Sequence, residues 1–335
     1  MIKKILKTAF LALLFFILIF IGYFFLGKAA PQKEIIWGVN FSQKHSELLG
    51  LDWKENYLAL FDDLKVKNLK LLIDWDLIEP ENDKFNFEDL NWQLEEAQKR
   101  GAEVILVIGM KTGRWPECHI PNWATNLTKN DMQNEILNLI ETVTSYYKNS
   151  TYSDAIKIWQ IENEPLLNFG ECPWIDKAFL KKEIETAKAT DPSKPIIISD
   201  SGEWSFWFEP ARLGDIVGTT MYRGAWFGKL NTYINYHLPP VFYYRKSQFI
   251  KKIFNKEVVV VELQAEPWSE KLLYDSSLEE QEKTMNPEIF KDNIEFARQT
   301  GLGEFYFWGA EWWYWLKIKQ DKPDIWNEAK NLFTS

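Results

Sequence analysis

The stretch Val258-Val259-Val260-Val261-Glu262 is a continuous apolar run that ends in a carboxylate. A strand with one face in water alternates apolar and polar residues, whereas an unbroken apolar run is typical of a parallel sheet covered on both faces. The segment Val104-Ile105-Leu106-Val107-Ile108 has the same character. Both runs therefore predict strands of a parallel sheet that is enclosed by helices.

Similar short runs recur along the chain and predict eight strands, at residues 35–41, 69–74, 103–109, 156–162, 195–200, 215–221, 257–262 and 303–309. Between them, apolar residues three or four apart predict helices near 54–67, 87–97, 130–148, 176–190, 245–254, 287–300 and 323–333. Eight strand and helix units imply a (β/α)8 barrel, whose site lies at the carboxyl ends of its strands. The competing fold, a doubly wound α/β sheet, normally has a Gly-rich phosphate turn after its first strand. The residues from Trp37 to Ser42 contain no such turn.

Composition limits the kinds of partner. The 335 residues carry a formal net charge of -9, which argues against a nucleic-acid partner because phosphate binding needs a basic face. No linker, internal repeat or low-complexity stretch divides the chain after its N-terminal segment. We predict one domain there, and its oligomeric state stays open.

The N-terminal segment is a membrane helix candidate. Residues Thr8 to Leu26 carry no charge, and at ~1.5 Å per helical residue they are long enough for a bilayer core of ~30 Å. The basic residues Lys3, Lys4 and Lys7 precede this stretch, which places the N-terminus in the cytoplasm. A cleaved signal peptide is the alternative, but Gly27-Lys28-Ala29 is a poor cleavage site.

These observations predict three parts of the chain. Residues 1–28 form a cytoplasmic stub and a transmembrane anchor, 29–34 a short linker, and 35–335 the barrel. The protein is expected to be single-pass with its barrel outside the cytoplasm, or secreted if the N-terminal segment is cleaved.

The two cysteines are compatible with that compartment. Cys118 and Cys172 each fall in a polar loop just after a predicted strand. If those strands are neighbours, the loops meet and oxidising conditions permit a disulfide; two unpaired thiols are the alternative. A zinc site that adds His119 would match no known ligand spacing, and we predict neither a metal nor a cofactor.

Two glutamates follow predicted strands and carry the functional argument. The run Trp159-Gln160-Ile161-Glu162-Asn163-Glu164-Pro165 ends in an amide and a carboxylate, and Pro165 biases Glu164 toward extended geometry at the strand end. Glu164 follows the fourth strand and Glu262 ends the seventh, 98 residues later. At ~31 residues per barrel unit this is about three units, so both carboxylates face one mouth. Paired carboxyl groups of this kind cleave glycosidic bonds. Glu162 and Glu266 are the nearest alternatives.

With this pair in place, the chain from about Ile35 to Phe333 resembles the retaining (β/α)8 glycoside hydrolases of clan A. The similarity extends to families 5 (cellulase-like), 39 and 42, and the family within the clan is not resolved by these motifs. Beyond the pair, the segment Trp75-Asp76-Leu77-Ile78-Glu79-Pro80-Glu81 followed by Phe85-Asn86-Phe87 is similar to a stretch after strand two in several member families.

The resemblance implies a role for each matching residue. Glu164 would be the acid/base and Glu262 the nucleophile of retaining hydrolysis through a covalent glycosyl intermediate. Asn163 would hydrogen-bond the 2-hydroxyl of the sugar, with Tyr222 near the nucleophile and Trp308 under the sugar ring. Where many members have an arginine beside the nucleophile, this chain has Lys70, which supplies a point charge without a bidentate fork. We do not assign Lys70 a catalytic role.

Aromatic side chains support a carbohydrate ligand. Many of the 17 tryptophans fall in loops after strands, where flat rings stack on sugar faces, although packing between barrel and helices is the alternative. Further substrate contacts are expected from Trp115, His119, Trp268 and Trp312. The irregular region 224–244 is either a packed loop or a lid or membrane-facing surface.

The predicted substrate is a β-linked oligosaccharide or polysaccharide of unspecified configuration. A transglycosylase would use the same residues, and a glycan-binding barrel without hydrolysis is the other alternative.

Overall fold

Eight parallel strands close into a barrel in the computed structural model, which describes residues 2–334. Met1 and Ser335, at the outer ends of the predicted anchor and barrel segments, lie outside the described residues. The strands of the chain are Ile36–Phe41 (β1), Asn68–Leu72 (β2), Glu103–Ile108 (β3), Ile156–Ile161 (β4), Ile196–Asp200 (β5), Ile216–Met221 (β6), Gly224–Phe227 (β7), Thr232–Asn235 (β8), Val258–Gln264 (β9) and Glu304–Trp308 (β10).

Around the barrel the strands follow the order β1-β2-β3-β4-β5-β6-β9-β10, and β10 closes on β1. Neighbouring strands are therefore also consecutive barrel strands in the sequence, as the connections of a (β/α)8 fold require. The prediction of this fold is confirmed. The predicted strand ends differ from the observed ones by at most two residues.

Helices after the N-terminal one surround the barrel or lie in its loops. The helices of the chain are Ile2–Phe25 (α1), Gln43–Leu48 (α2), Trp53–Asp62 (α3), Trp75–Ile78 (α4), Glu88–Lys99 (α5), Lys129–Lys148 (α6), Lys177–Thr190 (α7), Phe208–Leu213 (α8), Pro240–Phe254 (α9), Leu278–Glu282 (α10), Pro287–Gln299 (α11), Ala310–Lys319 (α12) and Asp324–Thr334 (α13). Side-chain caps start several of them: Asp176 accepts from two backbone N–H groups of α7, and Asn286 does the same for α11.

Apolar residues form two layers. Outward-facing strand residues such as Leu69, Leu71 and Leu106 pack against the helices in one large core. Inside the barrel, a smaller cluster is made by Ile105, Ile197, Val259, Val261 and Tyr306. The small cluster fills the barrel, so a ligand can reach only its rim.

The region 224–244, expected to be irregular, contains regular structure. β7 and β8 pair antiparallel as a hairpin, and Trp226 of β7 donates its backbone N–H to the carbonyl of Trp268, in the loop after β9. α9 begins at Pro240, five residues before the predicted start at 245, because proline is well suited to the first helical position.

The N-terminal helix stands apart from the barrel over much of its length. Within the described residues, the segment Lys3–Phe25 is the one helix that is long and apolar enough to cross a membrane. Its last turns pack on α9, where the rings of Phe24 and Phe242 lie 6.0 Å apart.

Candidate active site

A cleft of about 1420 Å³ opens at the carboxyl ends of the strands and contains both expected catalytic carboxylates. Glu164 and Glu262 line it together with Tyr222 and Trp308, as the prediction of a shared mouth requires. The loops after β3 and β9 form much of the rim.

A bulge in β9 directs Glu262 into the cleft. The sequence suggested that Glu262 ends its strand. In the structure β9 continues to Gln264, so Glu262 lies within the strand. Opposite β6, Thr219 pairs with Val260 but Thr220 pairs with Glu262, which leaves Val261 as an extra residue. Strict alternation would send Glu262 outward, since Val261 points into the barrel. The bulge resets the alternation, and both residues point inward.

Two groups hold the Glu262 carboxylate. Tyr222 donates its hydroxyl to Oε2 at 2.8 Å, and Lys70 Nζ lies 3.3 Å from Oε1. The Lys70 ammonium also donates to Asn163 Oδ1 at 3.3 Å and lies 5.5 Å from the Trp308 ring. Burial lowers the pKa of Lys70, and the charge of Glu262 opposes that shift. Lys70 therefore does contact the carboxylate, at the position that the resemblance indicated.

Glu164 does not have the extended geometry that Pro165 predicts. Its φ is +44°, in the left-handed region. Tertiary hydrogen bonds hold it there: its N–H donates to Ser199 Oγ at 2.8 Å, and its carbonyl accepts from Lys111 Nζ at 3.1 Å. Strained backbone of this kind concentrates at functional sites.

The surroundings of Glu164 favour its neutral form. Burial raises the pKa of Glu164 well above its ordinary value, and the negative charge of Glu262 adds to the rise. Thr220 opposes the shift by donating its hydroxyl to Oε1 at 3.0 Å. A carboxyl group kept protonated near neutral pH can act as a general acid.

Glu162 lines a cavity other than the cleft. It also has a positive φ, +57°, and its oxygens accept the backbone N–H groups of Met110 at 2.8 Å and of Lys111. It lines a cavity of about 290 Å³ beside α7, together with Glu183. Burial raises the pKa of both carboxyl groups. Glu162 is thus a buried structural carboxylate outside the cleft.

Glu266, the alternative to Glu262, belongs to an ion cluster in the cleft wall. Arg114 donates from Nη1 to Glu266 and from Nη2 to Glu311 Oε2 at 2.8 Å, and its Cζ lies 4.1 Å from the centre of the Trp308 ring. Burial works against ionisation of Glu266, but Arg114 and His45 together outweigh it and lower the pKa of that carboxyl group. A carboxylate whose negative charge is already paired with Arg114 is poorly placed to act as a nucleophile.

The expected aromatic contacts divide into two groups. Trp115 and Trp268 line the cleft, and Trp268 packs edge-on against Tyr222 with ring centres 4.9 Å apart. Trp312 does not line the cleft: it is 2% exposed and donates its indole N–H to Gln281 Oε1 at 2.8 Å. The expected sugar contact of Trp312 is therefore corrected to a packing role on α12.

His119 and Asn163 lie deeper than a solvated loop position would suggest. His119 lines the cleft, and its ring nitrogens lie 2.9 Å from the Gly113 carbonyl and 3.2 Å from Lys44 Nζ. Asn163 is 2% exposed and also accepts from Gln160 Nε2 at 3.1 Å.

The loops after β3 and β4 are joined covalently. Cys118 and Cys172 form a disulfide, with Cα atoms 5.3 Å apart, so these sulfur atoms are bonded to each other and not to zinc. Among residues 2–334, no group of three or more His, Cys, Asp or Glu side chains is arranged to hold a metal ion.

Two residues around the catalytic carboxylates carried no signal in the sequence. Glu117 lines the cleft with a φ of +78°, and burial raises its pKa to about 8, with Lys111 opposing and Glu262 reinforcing the shift. Thr220 looked like an ordinary strand residue. The contacts of both depend on strands and loops that are distant in the sequence.

Part of the chain matches a known protein family. Residues 28–205, just over half of the chain, match the sequence model of glycosyl hydrolase family 10. The matched range includes Asn163 and Glu164 and ends before Glu262. It confirms the resemblance to clan A.

Individual relatives are more distant. Endo-1,4-beta-xylanase B of Thermotoga neapolitana is 28% identical over 134 residues, which are 38% of this chain and 36% of that protein, so the match spans about a third of the relative's length. Xylanase 10B of Thermotoga petrophila, solved with xylobiose, has a TM-score of 0.54 at 19% identity and covers 82% of each chain. GH5_18 of Bifidobacterium longum has a TM-score of 0.55 at 17% identity, over 82% of this chain and 70% of that one. Both structures share the barrel fold.

Proposed function

The chain belongs to glycosyl hydrolase family 10, and from this premise we propose that it hydrolyses β-linked glycans with retention of configuration. The family agrees with the predicted enzyme class, a glycosidase. Glu164 is the acid/base and Glu262 the nucleophile in this proposal. The domain that does this is the barrel, residues 35–335.

The reaction proceeds in two displacements. Glu262 attacks the anomeric carbon while Glu164 protonates the departing oxygen, which gives a covalent glycosyl–enzyme ester. Glu164, now ionised, takes a proton from water, and the water oxygen replaces Glu262. Tyr222 and Lys70 stabilise the Glu262 carboxylate before attack and after release, and Asn163 is the hydrogen-bond partner of the 2-hydroxyl.

One observation carries the proposal. Burial and the charge of Glu262 raise the pKa of Glu164 well above its ordinary value, while Glu262 accepts from Tyr222 and lies in contact with Lys70. Two carboxyl groups in one cleft with different surroundings are what an acid and a nucleophile need. Trp308, Trp115 and Trp268 supply ring surfaces for sugars around them.

Xylo-oligosaccharides are the first substrates to test, because the named relatives are xylanases. The cleft lining carries charges of both signs outside the catalytic pair, with Glu47, Glu270 and Asp275 beside Lys44 and Lys271, so its charge does not by itself select among glycans.

Variants of the two glutamates test the roles. With xylobiose linked to a poor leaving group, Glu164→Gln should lower kcat by roughly 10²- to 10⁴-fold, and the loss should shrink with a dinitrophenyl leaving group that needs no proton. Glu262→Gln should be inactive with both. Glu162→Gln is the matched control, a buried carboxyl group two residues from Glu164 that faces another cavity, and it should keep its activity. Equal losses with both leaving groups would remove Glu164 from the acid role.

Product stereochemistry tests the mechanism. Proton NMR of the first product should show the β-anomer, and a 2-fluoro xyloside should label Glu262 covalently. An α-anomer would exclude the double displacement. Longer products in place of hydrolysis would favour the transglycosylase, and binding without turnover would favour a glycan-binding barrel.

The same proposal includes membrane attachment. Lys3–Phe25 has the length and hydropathy of a membrane span, and three lysines near its start favour a cytoplasmic N-terminus. The linker 29–34 then leads to a barrel outside the cytoplasm, where the disulfide is stable. Carbonate extraction of membranes should leave the full chain in the pellet, and external protease should reach the barrel. Release of an intact barrel by carbonate would support signal-peptide cleavage instead.

A further inference from the structure

Outside the cleft, the barrel has an exposed aromatic flank beside the N-terminal helix. Phe206, Phe208, Phe249 and Ile253 are 45%, 39%, 38% and 57% exposed. The rings of Phe206 and Phe208 lie 6.0 Å apart, and those of Phe208 and Phe249 5.7 Å. Adjacent exposed rings of this size mark an interaction surface more often than ordinary solvent contact.

The flank is continuous with the helix. Phe20 and Phe24 of α1 lie 6.1 and 6.2 Å from Phe206, and Arg245 of α9 stacks 4.9 Å from the Tyr23 ring. Between helix and flank runs a groove of about 560 Å³, lined on the helix side by Phe16, Ile19 and Phe20. The opposite wall is formed by the flank residues Phe206, Phe208 and Phe249.

This contact has a geometric consequence. Phe16 to Phe25 span about 13 Å of helix at ~1.5 Å per residue, and they lie inside the uncharged stretch that ends at Leu26. If that stretch is in the hydrocarbon of the outer leaflet, the flank packed beside it lies there too. The barrel cannot then stand clear of the membrane on its linker.

Charge supports a lipid surface. Residues 240–256 carry five basic residues and no acidic one, within a chain of net charge -9, and four of the five reach the surface because Lys246 is buried. Lys251 and Lys252 are exposed on the same helix as Phe249 and Ile253. Lys251 pairs with Glu257, and the long stem of Lys252 can carry its ammonium group to the phosphate layer. Aromatic rings together with lysines are the composition of surfaces that lie in an anionic bilayer interface.

We propose that the flank formed by Phe206, Phe208, Phe249 and Ile253 inserts into the outer leaflet beside α1 and fixes the barrel on the membrane surface, with lipid acyl chains filling the groove. The inference rests on the proposed membrane attachment and is independent of hydrolysis. It makes the protein a barrel with one span and one lipid-embedded flank.

Spin labels on the full chain in lipid nanodiscs test the inference. Labels at Phe208→Cys and Phe249→Cys report on the flank, and a label at Leu13→Cys reports on α1. A label at Tyr146→Cys, on the distant helix α6, is the control, because Tyr146 is 40% exposed and Phe249 is 38% exposed. In discs with anionic lipid, labels at 208, 249 and 13 should collide several-fold more with oxygen, and several-fold less with a water-soluble nickel chelate, than the label at 146.

The outcomes separate the two proposals. If label 13 lies in lipid but label 249 is as accessible to the chelate as label 146, the proposed flank insertion is overturned and the membrane anchor is retained. Label 13 in water overturns both, without bearing on hydrolysis. Dipolar broadening between labels at 249 would show a second copy on the flank in place of lipid, and would also overturn the inference. The circular dichroism spectrum of each labelled chain, compared with that of the unlabelled chain, shows whether it is folded.

Discussion

Removing one hydroxyl should move the pH dependence of the reaction. Thr220 donates to Glu164 Oε1 at 3.0 Å, and this hydrogen bond favours the ionised carboxylate. Thr220→Val keeps the shape of the side chain and removes the donor. The pKa of Glu164, already raised by burial, should rise further.

The magnitude follows from the charge of the acceptor. A hydrogen bond to a charged group contributes about 1.5–3 kcal/mol. At 1.36 kcal/mol per pKa unit, this corresponds to about 1 to 2 pH units. The protonated carboxyl group can keep part of the contact, so the lower end is expected. Because the acid must be protonated to act, the alkaline limb of kcat/KM should move to higher pH by about 1 unit.

The assay is the pH dependence of kcat/KM on an aryl xylobioside. The hydroxyl of Thr220 also accepts the N–H of Gly202 at 3.3 Å, so some loss of stability is expected, but the position of the limb does not depend on the amount of folded enzyme. Thr219→Val is the control: this neighbouring hydroxyl is buried and donates to the Thr220 carbonyl at 3.0 Å. A limb that stays in place or moves to lower pH would refute the role of Thr220 in lowering the pKa of Glu164.

Three further predictions concern other parts of the cleft. The folded-state pKa of Glu117 is raised from 4.5 to about 8, so the unfolded chain loses this proton at lower pH than the folded chain does. The free energy of unfolding should therefore fall as the pH rises from 4.5 to about 8. In urea titrations at several pH values, Glu117→Gln should make this fall smaller, and an unchanged dependence of the free energy of unfolding on pH would contradict the prediction. The disulfide closes a separation of 54 residues, so replacing Cys118 and Cys172 by serine should cost about 4 kcal/mol of unfolding free energy, measured against the oxidised chain, whereas a cost near zero would imply that the reduced loops stay in place. Trp308→Ala should lower kcat/KM by about 10- to 100-fold, since a ring surface covered by ligand contributes ~1.5–3 kcal/mol, while Trp312→Phe should leave kcat/KM unchanged; the reverse pattern would restore Trp312 to the site.

The barrel was predictable because parallel strands buried on both faces leave a strong local signal. Runs such as Val104 to Ile108 contain no polar position, and the helices between them repeat at helical spacing. The hairpin at 224–235 was missed because it belongs to a long loop, and its pairing depends on the packing of Trp226 against the loop after β9.

The site was predictable in its two glutamates and less so in their geometry. A period of two along β9 would place Glu262 on the outer face, and only the extra residue at Val261 directs it inward. The left-handed backbone of Glu164 is likewise held by Ser199 and Lys111, against the local preference set by Pro165. In both cases contacts between distant segments override the local pattern.

The Arg114 cluster has an evolutionary consequence. One guanidinium from the loop after β3 neutralises Glu266, beyond β9, and Glu311, on α12, and lies against Trp308. Loss of the arginine alone would leave two buried carboxylates unpaired, which is strongly destabilising, whereas replacing all three by apolar residues can be neutral. Descendants of this chain should therefore change positions 114, 266 and 311 together or keep all three, and this triad should appear as a co-varying unit that links three segments far apart in the sequence.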